Sequence, residues 1–124
     1  MKTHLMFTLP WPPSVNTYYR TYLGRMLVSA KGRKYRREVI DRIIELGMPL
    51  TLLDARLSMQ VWVTPPDRRK RDLDNLLKPL IDALQHSALF NDDEQIDELA
   101  IFRGPPDKAN AGVRIHLAEI VEGE

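Results

Sequence analysis

The chain is predicted to be an α+β (α/β-like) protein, a single domain over residues 1–124 with helices packed on a mixed β-sheet. Three observations predict it. Some segments alternate apolar and polar residues with a period of two, others carry apolar residues at helical spacing, and the two kinds interleave as strand, helix, strand, helix, strand, strand. A strand–helix–strand unit favours parallel neighbours, whereas the closing strand pair is expected to form an antiparallel hairpin, so the sheet is mixed. The 124 residues, 44% of them hydrophobic, suffice for one core and leave no room for two.

Leu5, Phe7 and Leu9 alternate with His4, Met6 and Thr8 in a half-buried strand that Pro10 ends. From Pro10 to about Ala30 the chain is rich in turn formers, with Tyr18, Tyr19, Tyr22, Arg20 and Arg25 among them and Gly24 at a turn. It reads as a long loop, and such loops are functional or mobile. Ser29 suits a helix N-cap, and Val39, Ile40, Ile43 and Ile44 make the apolar stripe of a helix that stops near Gly47 and Pro49. Its other side shows Arg33, Lys34, Arg37, Asp41 and Glu45, the basic end first. Ala55, Leu57, Met59, Val61 and Val63 give residues 54–63 the most regular strand pattern in the chain, ended by Pro65 and Pro66. Leu76, Leu77, Leu80, Ile81 and Leu84 predict a second helix to about Ser87. Pro79 lies inside this pattern and demands a tight start or a kink. The acidic NDDEQID loop follows, then strands over 99–102 and 113–117 connected by GPPDKANAG.

The absence of cysteine excludes disulfides, thiolate metal sites and a cysteine nucleophile. Prolines interrupt the short apolar stretch at the start and no later run is long enough to span a bilayer, so neither a signal peptide nor a membrane partner is expected. The expected location is cytoplasmic. A formal net charge of +1 hides an asymmetry, because residues 1–37 hold eight basic side chains and no acidic one, which leaves +8 on that part and −7 on the remainder. A surface that attracts a polyanion stands beside one able to hold cations.

Both features meet in Arg68-Arg69-Lys70-Arg71-Asp72-Leu73-Asp74-Asn75, followed by Lys78. On an extended backbone Asp72 and Asp74 project to one side and converge on one hard cation. Carboxylates without paired histidines favour Mg²⁺ or Mn²⁺ over zinc, and Asp92 or Asp93 supplies a third carboxylate if the chain returns to the same end of the sheet. The four cations before the aspartates draw in phosphate that carboxylates alone would repel. Each element also has a structural reading. Asp74 or Asn75 suits a helix N-cap, and Asp74, Lys78 and Asp82 fit a helical ion-pair ladder. His4, His86 and His116 have no metal-ligand spacing, the serines lack a nucleophile elbow, and no glycine-rich phosphate loop or dinucleotide fingerprint is present, so no organic cofactor is expected. Tyr18 and Tyr19, beside Arg20, suit either base stacking or packing.

LPWPPSVNTYYR, VSAKGRKYR, PDRRKRDLDNLLKPLIDAL and LFNDDEQID, in that order and nearly end to end, resemble the RusA family of Holliday-junction resolvases. The resemblance implies metal-binding carboxylates at Asp72, Asp74 and Asp93 and a catalytically important lysine at Lys78, with no departure at these positions. It further implies a homodimeric, Mg²⁺-dependent endonuclease, with Mn²⁺ a substitute, that makes paired symmetric nicks in four-way junction DNA during recombination and repair. A nucleoid-associated cytoplasmic protein fits that activity. Arg68, Arg69, Lys70 and Arg71, with Tyr18, Tyr19, Arg20, Arg33, Lys34 and Arg37 of the basic N-terminal part, would contact the DNA. Two other readings of the residues stand beside it: a non-catalytic module for branched DNA, and a metal-dependent nuclease for another structured nucleic acid.

Overall fold

Phe7 and Leu9 on the first strand, and Leu57, Met59, Val61 and Val63 on the longest one, are buried at alternate positions, which gives the sheet one helix-covered face. The computed structural model describes residues 3–47 and 52–121. In chain order the elements are β1 (His4–Leu9), α1 (Val15–Tyr18), β2 (Tyr19–Tyr22), β3 (Arg25–Val28), α2 (Ala30–Glu45), β4 (Leu57–Thr64), α3 (Asp74–His86), a one-turn 3-10 helix (Asp93–Gln95), β5 (Ile96–Arg103) and β6 (Gly112–Glu119). The α+β class and the strand and helix positions agree with the periodicity. Pro49 lies outside the described residues, and Gly47, with φ of 89°, ends the turn after α2.

The four-stranded sheet has the order β1-β6-β4-β5, with β4 parallel to β5 and β6 antiparallel to both β1 and β4. The expected β5–β6 hairpin is therefore wrong, since β4 lies between those strands. The reason is burial. β6 carries Val113, Ile115, Leu117 and Ala118 into the interior and takes a central place, while β5 has no fully buried residue and takes the edge. The 104–111 connection carries two prolines and passes the end of β4, where Gly104 N–H donates to the Val63 carbonyl at 2.9 Å and Asp107 N–H to that of Pro65 at 2.8 Å.

One core unites the sheet with Tyr35, Val39 and Ile43 of α2 and Leu76, Leu80, Ala83 and Leu84 of α3. The other sheet face is half open: Trp62 stacks on Phe102 with ring centroids 5.8 Å apart, and His4 and His116 are hydrogen-bonded to each other at 3.0 Å. The segment from Pro10 to Ala30 is not a structureless loop. It folds into α1 and the two-stranded β2–β3 hairpin, which sequence periodicity missed because both strands are short and largely exposed.

Ser29 caps α2 as expected, its hydroxyl accepting from Gly32 N–H at 3.0 Å. The tight start of α3 is also present: Asn75 N–H reaches the Asp72 carbonyl at 3.2 Å and Leu76 N–H that of Leu73 at 3.1 Å, bonds three residues apart instead of four. Further in, Pro79 has no N–H with which to make the usual bond to the Asn75 carbonyl four residues back.

Gly32 sets how closely α2 approaches α1 and the hairpin. A Cβ there would collide with the Tyr18 backbone carbonyl and lie 2.7 Å from Val28 Cγ1. Gly32→Ala should therefore destabilise the fold by about 1–3 kcal/mol, although alanine is intrinsically the better helix former by about 1 kcal/mol. Urea unfolding measures the difference, and an unchanged or raised midpoint refutes the close approach.

Candidate active site

Helical spacing puts Asp74, Lys78, Asp82 and Gln85 on one face of α3, and that face forms one wall of a cavity of about 370 Å³. Asp93 and Tyr19 complete the lining with Leu77 and Ile81. The chain reaches Asp93 because the 91–95 turn is pinned from two sides. Gln95, buried, accepts from the N–H groups of Asn91 and Asp92 at 2.8 and 2.9 Å and donates to the carbonyls of Ala55 and Leu52 at 2.8 and 3.3 Å. On the other side, Gln85 Oε1 accepts from Asp93 N–H at 3.0 Å, tying the turn to α3.

The extended geometry expected around Asp72 and Asp74 is not what forms. Leu73 has helical dihedrals, φ −63° and ψ −35°, so the two carboxylates line neighbouring cavities. Asp72 faces a cavity of about 500 Å³ with Trp11, Ser14, Lys70, Arg71 and Asn75. The capping reading fails for both candidates, because the cap position is Leu73 and no side chain closes it. Asp74 stays exposed in the first turn, where the helix dipole favours its charge.

The ion-pair ladder also fails. Lys78 has no salt bridge to any described residue; its ammonium lies over the Tyr19 ring, 5.2 Å from the centroid. Asp82 is engaged elsewhere: its Oδ2 accepts from the Tyr18 hydroxyl and from Arg36 Nη2 at 2.7 Å, and Arg36 Nε donates to the same hydroxyl at 2.8 Å. Arg36 was legible only as one of the eight basic residues in 1–37, and Asp82 only as a member of a helical ladder. Gln85 and Gln95 carried no signal beyond, for Gln85, a shared helix face with Lys78 and Asp82.

The proposed DNA contacts divide. Tyr18 is wholly buried and has the packing role, with its hydroxyl pKa pushed far up by burial and by the bond to Asp82. Tyr19 is half-buried and meets Tyr18 edge-on, centroids 4.7 Å apart. Arg20, Lys34 and Arg37 are exposed, while Arg33, also exposed, donates to the Val28 carbonyl at 2.9 Å. Arg68, Arg69 and Lys70 are exposed, but Arg71 turns inward. Its guanidinium lies 5.4 Å from the Trp11 ring centroid and binds Asp67 at 2.8 Å, and its carbonyl accepts from Arg103 at 2.7 Å.

Comparison with known proteins decides the kinship. Residues 10–118 match the family described as Endodeoxyribonuclease RusA. The chain belongs to the RusA family. It is 46% identical over 114 residues to the Crossover junction endodeoxyribonuclease RusA of Escherichia coli (strain K12), covering 89% of this chain and 88% of that protein. The Crossover junction endodeoxyribonuclease rusA of Enterobacteria phage HK97 is 44% identical over 98 residues, 79% of this chain and 81% of its own. That of Enterobacteria phage 82 is 45% identical over 114 residues, with 89% and 88% covered.

The donor chemistry in this RusA-family chain suits a hard dication, because the candidate ligands are carboxylate oxygens only. The Asp93 pKa is raised, first by its hydrogen bond with the Asp92 carboxyl, then by burial and by the charges of Asp92 and Asp82. Asp92 is lowered, chiefly by the Glu94 N–H it accepts. Among the described residues no three acidic or histidine side chains yet close on a single point. Asp72 and Asp74 lie at the start of α3 while Asp93 is tied to Gln85 near its other end, so an ion of this class would have to draw them together along the helix face.

Two opposite titrations follow. Asp67 is held down at about 2, first by Arg71 and then by Arg69 N–H, so its stabilising contribution is complete above the ordinary value of 3.8 and lost as pH falls through about 2. Asp93, raised, favours folding below the ordinary carboxylate value and loses that contribution as pH rises through its own midpoint. Carboxyl NMR should find Asp93 high and Asp67 low. Asp92→Asn should bring Asp93 down and Arg71→Gln should bring Asp67 up, whereas an Asp93 midpoint at or below the ordinary value refutes the crowding.

Proposed function

We propose that this chain is a Mg²⁺-dependent endodeoxyribonuclease, with Mn²⁺ as a substitute, that resolves four-way DNA junctions by paired symmetric nicks in recombination and repair. The observation that carries this reading is the cleft on α3, where Asp74, Lys78 and Asp93 face one space beside Asp72 and a cationic 68–70 rim, in a chain of the RusA family. Asp72, Asp74 and Asp93 would hold the cation. When bound, such an ion lowers the pKa of an attacking water and offsets the charge that develops on phosphate.

The protein's own residues supply the rest. The exposed Arg68, Arg69 and Lys70 attract the backbone at a distance, and each phosphate they neutralise makes affinity more salt-dependent. Lys78 offers a charge to the non-bridging oxygens, with its ammonium kept in the cleft by the face of Tyr19. Gln85 and Gln95 fix the turn that bears Asp93, so its carboxylate is held on the wall of the cleft that Asp74 also lines. One such cleft per chain cannot cut two opposed strands symmetrically. A two-fold dimer supplies the second, so a homodimer follows from that count, and an enzyme acting on chromosomal DNA would work at the nucleoid.

A labelled four-way junction with Mg²⁺ tests the reading. Asp72→Asn, Asp74→Asn and Asp93→Asn should each slow cleavage by about 10²-fold or more while junction binding persists, and Lys78→Ala should do the same. A folded protein that binds the junction and never cuts it would leave a binding module, and preferential cutting of structured RNA would leave a different nuclease; either overturns the proposal. Sedimentation equilibrium should give a dimer, and a monomer at cleavage-competent concentrations refutes the two-site arrangement.

A further inference from the structure

The β2–β3 hairpin breaks a local rule at its tip. Tyr22 pairs with Arg25, so the loop is the two residues Leu23 and Gly24, both with positive φ, 51° and 73°. That turn favours asparagine or aspartate followed by glycine, because a branched aliphatic side chain is strained in the left-handed region. Leu23 nevertheless occupies it and gains no packing, for it is 84% exposed. Strain held without a structural return points to a use outside the fold.

Its surroundings say what the use is. Tyr22, 56% exposed, precedes Leu23, and Arg20 lies 5.7 Å from the Tyr22 ring centroid. Residues paired across antiparallel strands share a face, so Arg20, Leu27, Tyr22 and Arg25 form one face of cations and apolar groups. No acidic residue occurs anywhere in 1–37. The hairpin is continuous with the cleft, because Tyr19, the first residue of β2, lines both the α3 cavity and the hollow beneath the hairpin. An apolar tip carried between arginines suits a base stack flanked by phosphates, where aliphatic side chains enter between bases and unstack them.

Resting on the nuclease reading above, we propose that the hairpin is a wedge, with Leu23 inserted among the bases at the branch point of the junction and Arg20 and Arg25 on the phosphates beside it. The tip would open the strands whose phosphates enter the cleft. The wedge makes Leu23 a determinant of substrate selection, since a branch point yields its stacking more readily than a continuous duplex.

The test places 2-aminopurine at the branch point of a four-way junction in EDTA, so that opening is read without cleavage. Wild-type protein should raise the fluorescence. Leu23→Asn, which suits the turn and should raise Tm, should abolish most of that rise while anisotropy still reports junction binding, and Leu23→Phe should preserve it. With Mg²⁺, Leu23→Asn should cut a fully paired junction about tenfold more slowly, in keeping with the cost of unstacking a base step, and a junction with unpaired branch-point bases at nearly the wild-type rate. An unchanged fluorescence rise in Leu23→Asn overturns the wedge, as does a shift from dimer to monomer in that variant, which would mean that a second copy covers the tip. Wild-type cutting without any fluorescence rise removes the wedge and keeps the nuclease. A fluorescence rise without cutting keeps the wedge and removes the nuclease.

Discussion

The Asp82 carboxylate joins three elements at one oxygen. Oδ2 receives the Tyr18 hydroxyl from the end of α1 and the Arg36 guanidinium from α2, while its own backbone belongs to α3. Tyr18 is wholly buried and Arg36 lies 5.8 Å from its ring centroid, so the charge pair is also a packing contact. Removing one partner leaves the others with unanswered charge. At side-chain exposures of 22% and 32% the loss lies toward the low end of the roughly 3–5 kcal/mol that fully buried pairs show. What matters more is position. Tyr18 meets Tyr19 edge-on, Tyr19 lies under the Lys78 ammonium, and β2 begins at Tyr19, so the hairpin and the cleft lysine take their places from the same carboxylate.

That arrangement explains why Asp82, though it lines the cleft, differs from Asp74 and Asp93. Its charge is answered by a hydroxyl and a guanidinium, whereas Asp74 and Asp93 have no ion pair with any described residue. On α3 the result is a graded face: a free carboxylate in the first turn, an ammonium in the second, an occupied carboxylate in the third, then Gln85 holding the turn of Asp93. The acidic turn is rigid for a similar reason. Arg56 clamps Glu94 and Asp97 at 3.1 and 2.5 Å, and Gln95 satisfies four backbone groups, so Asp92 and Asp93 are held together against their mutual repulsion by bonds that lie outside the pair.

The parts of this molecule legible in the sequence are those with one dominant physical cause. Alternation of Leu57, Met59, Val61 and Val63 reports a half-buried strand because burial alone sets it, and Ser29 reports a helix start because its hydroxyl has one local bond to make. The β5–β6 hairpin failed because adjacency in sequence competes with burial, and the apolar β6 displaced the polar β5 from the centre. The β2–β3 hairpin was hidden because its turn lacks the residues its geometry prefers. In the site, the acids and Lys78 were legible by type and order. Their division between two cavities was not, because it turns on the helical dihedrals of Leu73, and the dependence of Lys78 on Tyr19 needs contacts between segments about 60 residues apart.

The near-zero net charge then takes on a spatial meaning. Cations are of two kinds. Arg36, Arg56 and Arg71 are engaged by Asp82, by Glu94 and Asp97, and by Asp67, and so contribute order to the fold. Arg68, Arg69, Lys70, Lys34 and Arg37 stay exposed and carry no described ion pair, so their field reaches outward. The acids divide in the same way: Asp82 is answered by Arg36, whereas Asp72, Asp74 and Asp93 carry no described ion pair. A phosphate backbone approaching from beyond a Debye length of about 8–10 Å is drawn by the exposed cations, whereas at contact it meets the cleft acids. Attraction at range and repulsion at contact are reconciled only by a positive charge at the cleft itself. Lys78 supplies one unit against the three negative charges of Asp72, Asp74 and Asp93, which is the electrostatic reason the proposed dication would complement a lysine there.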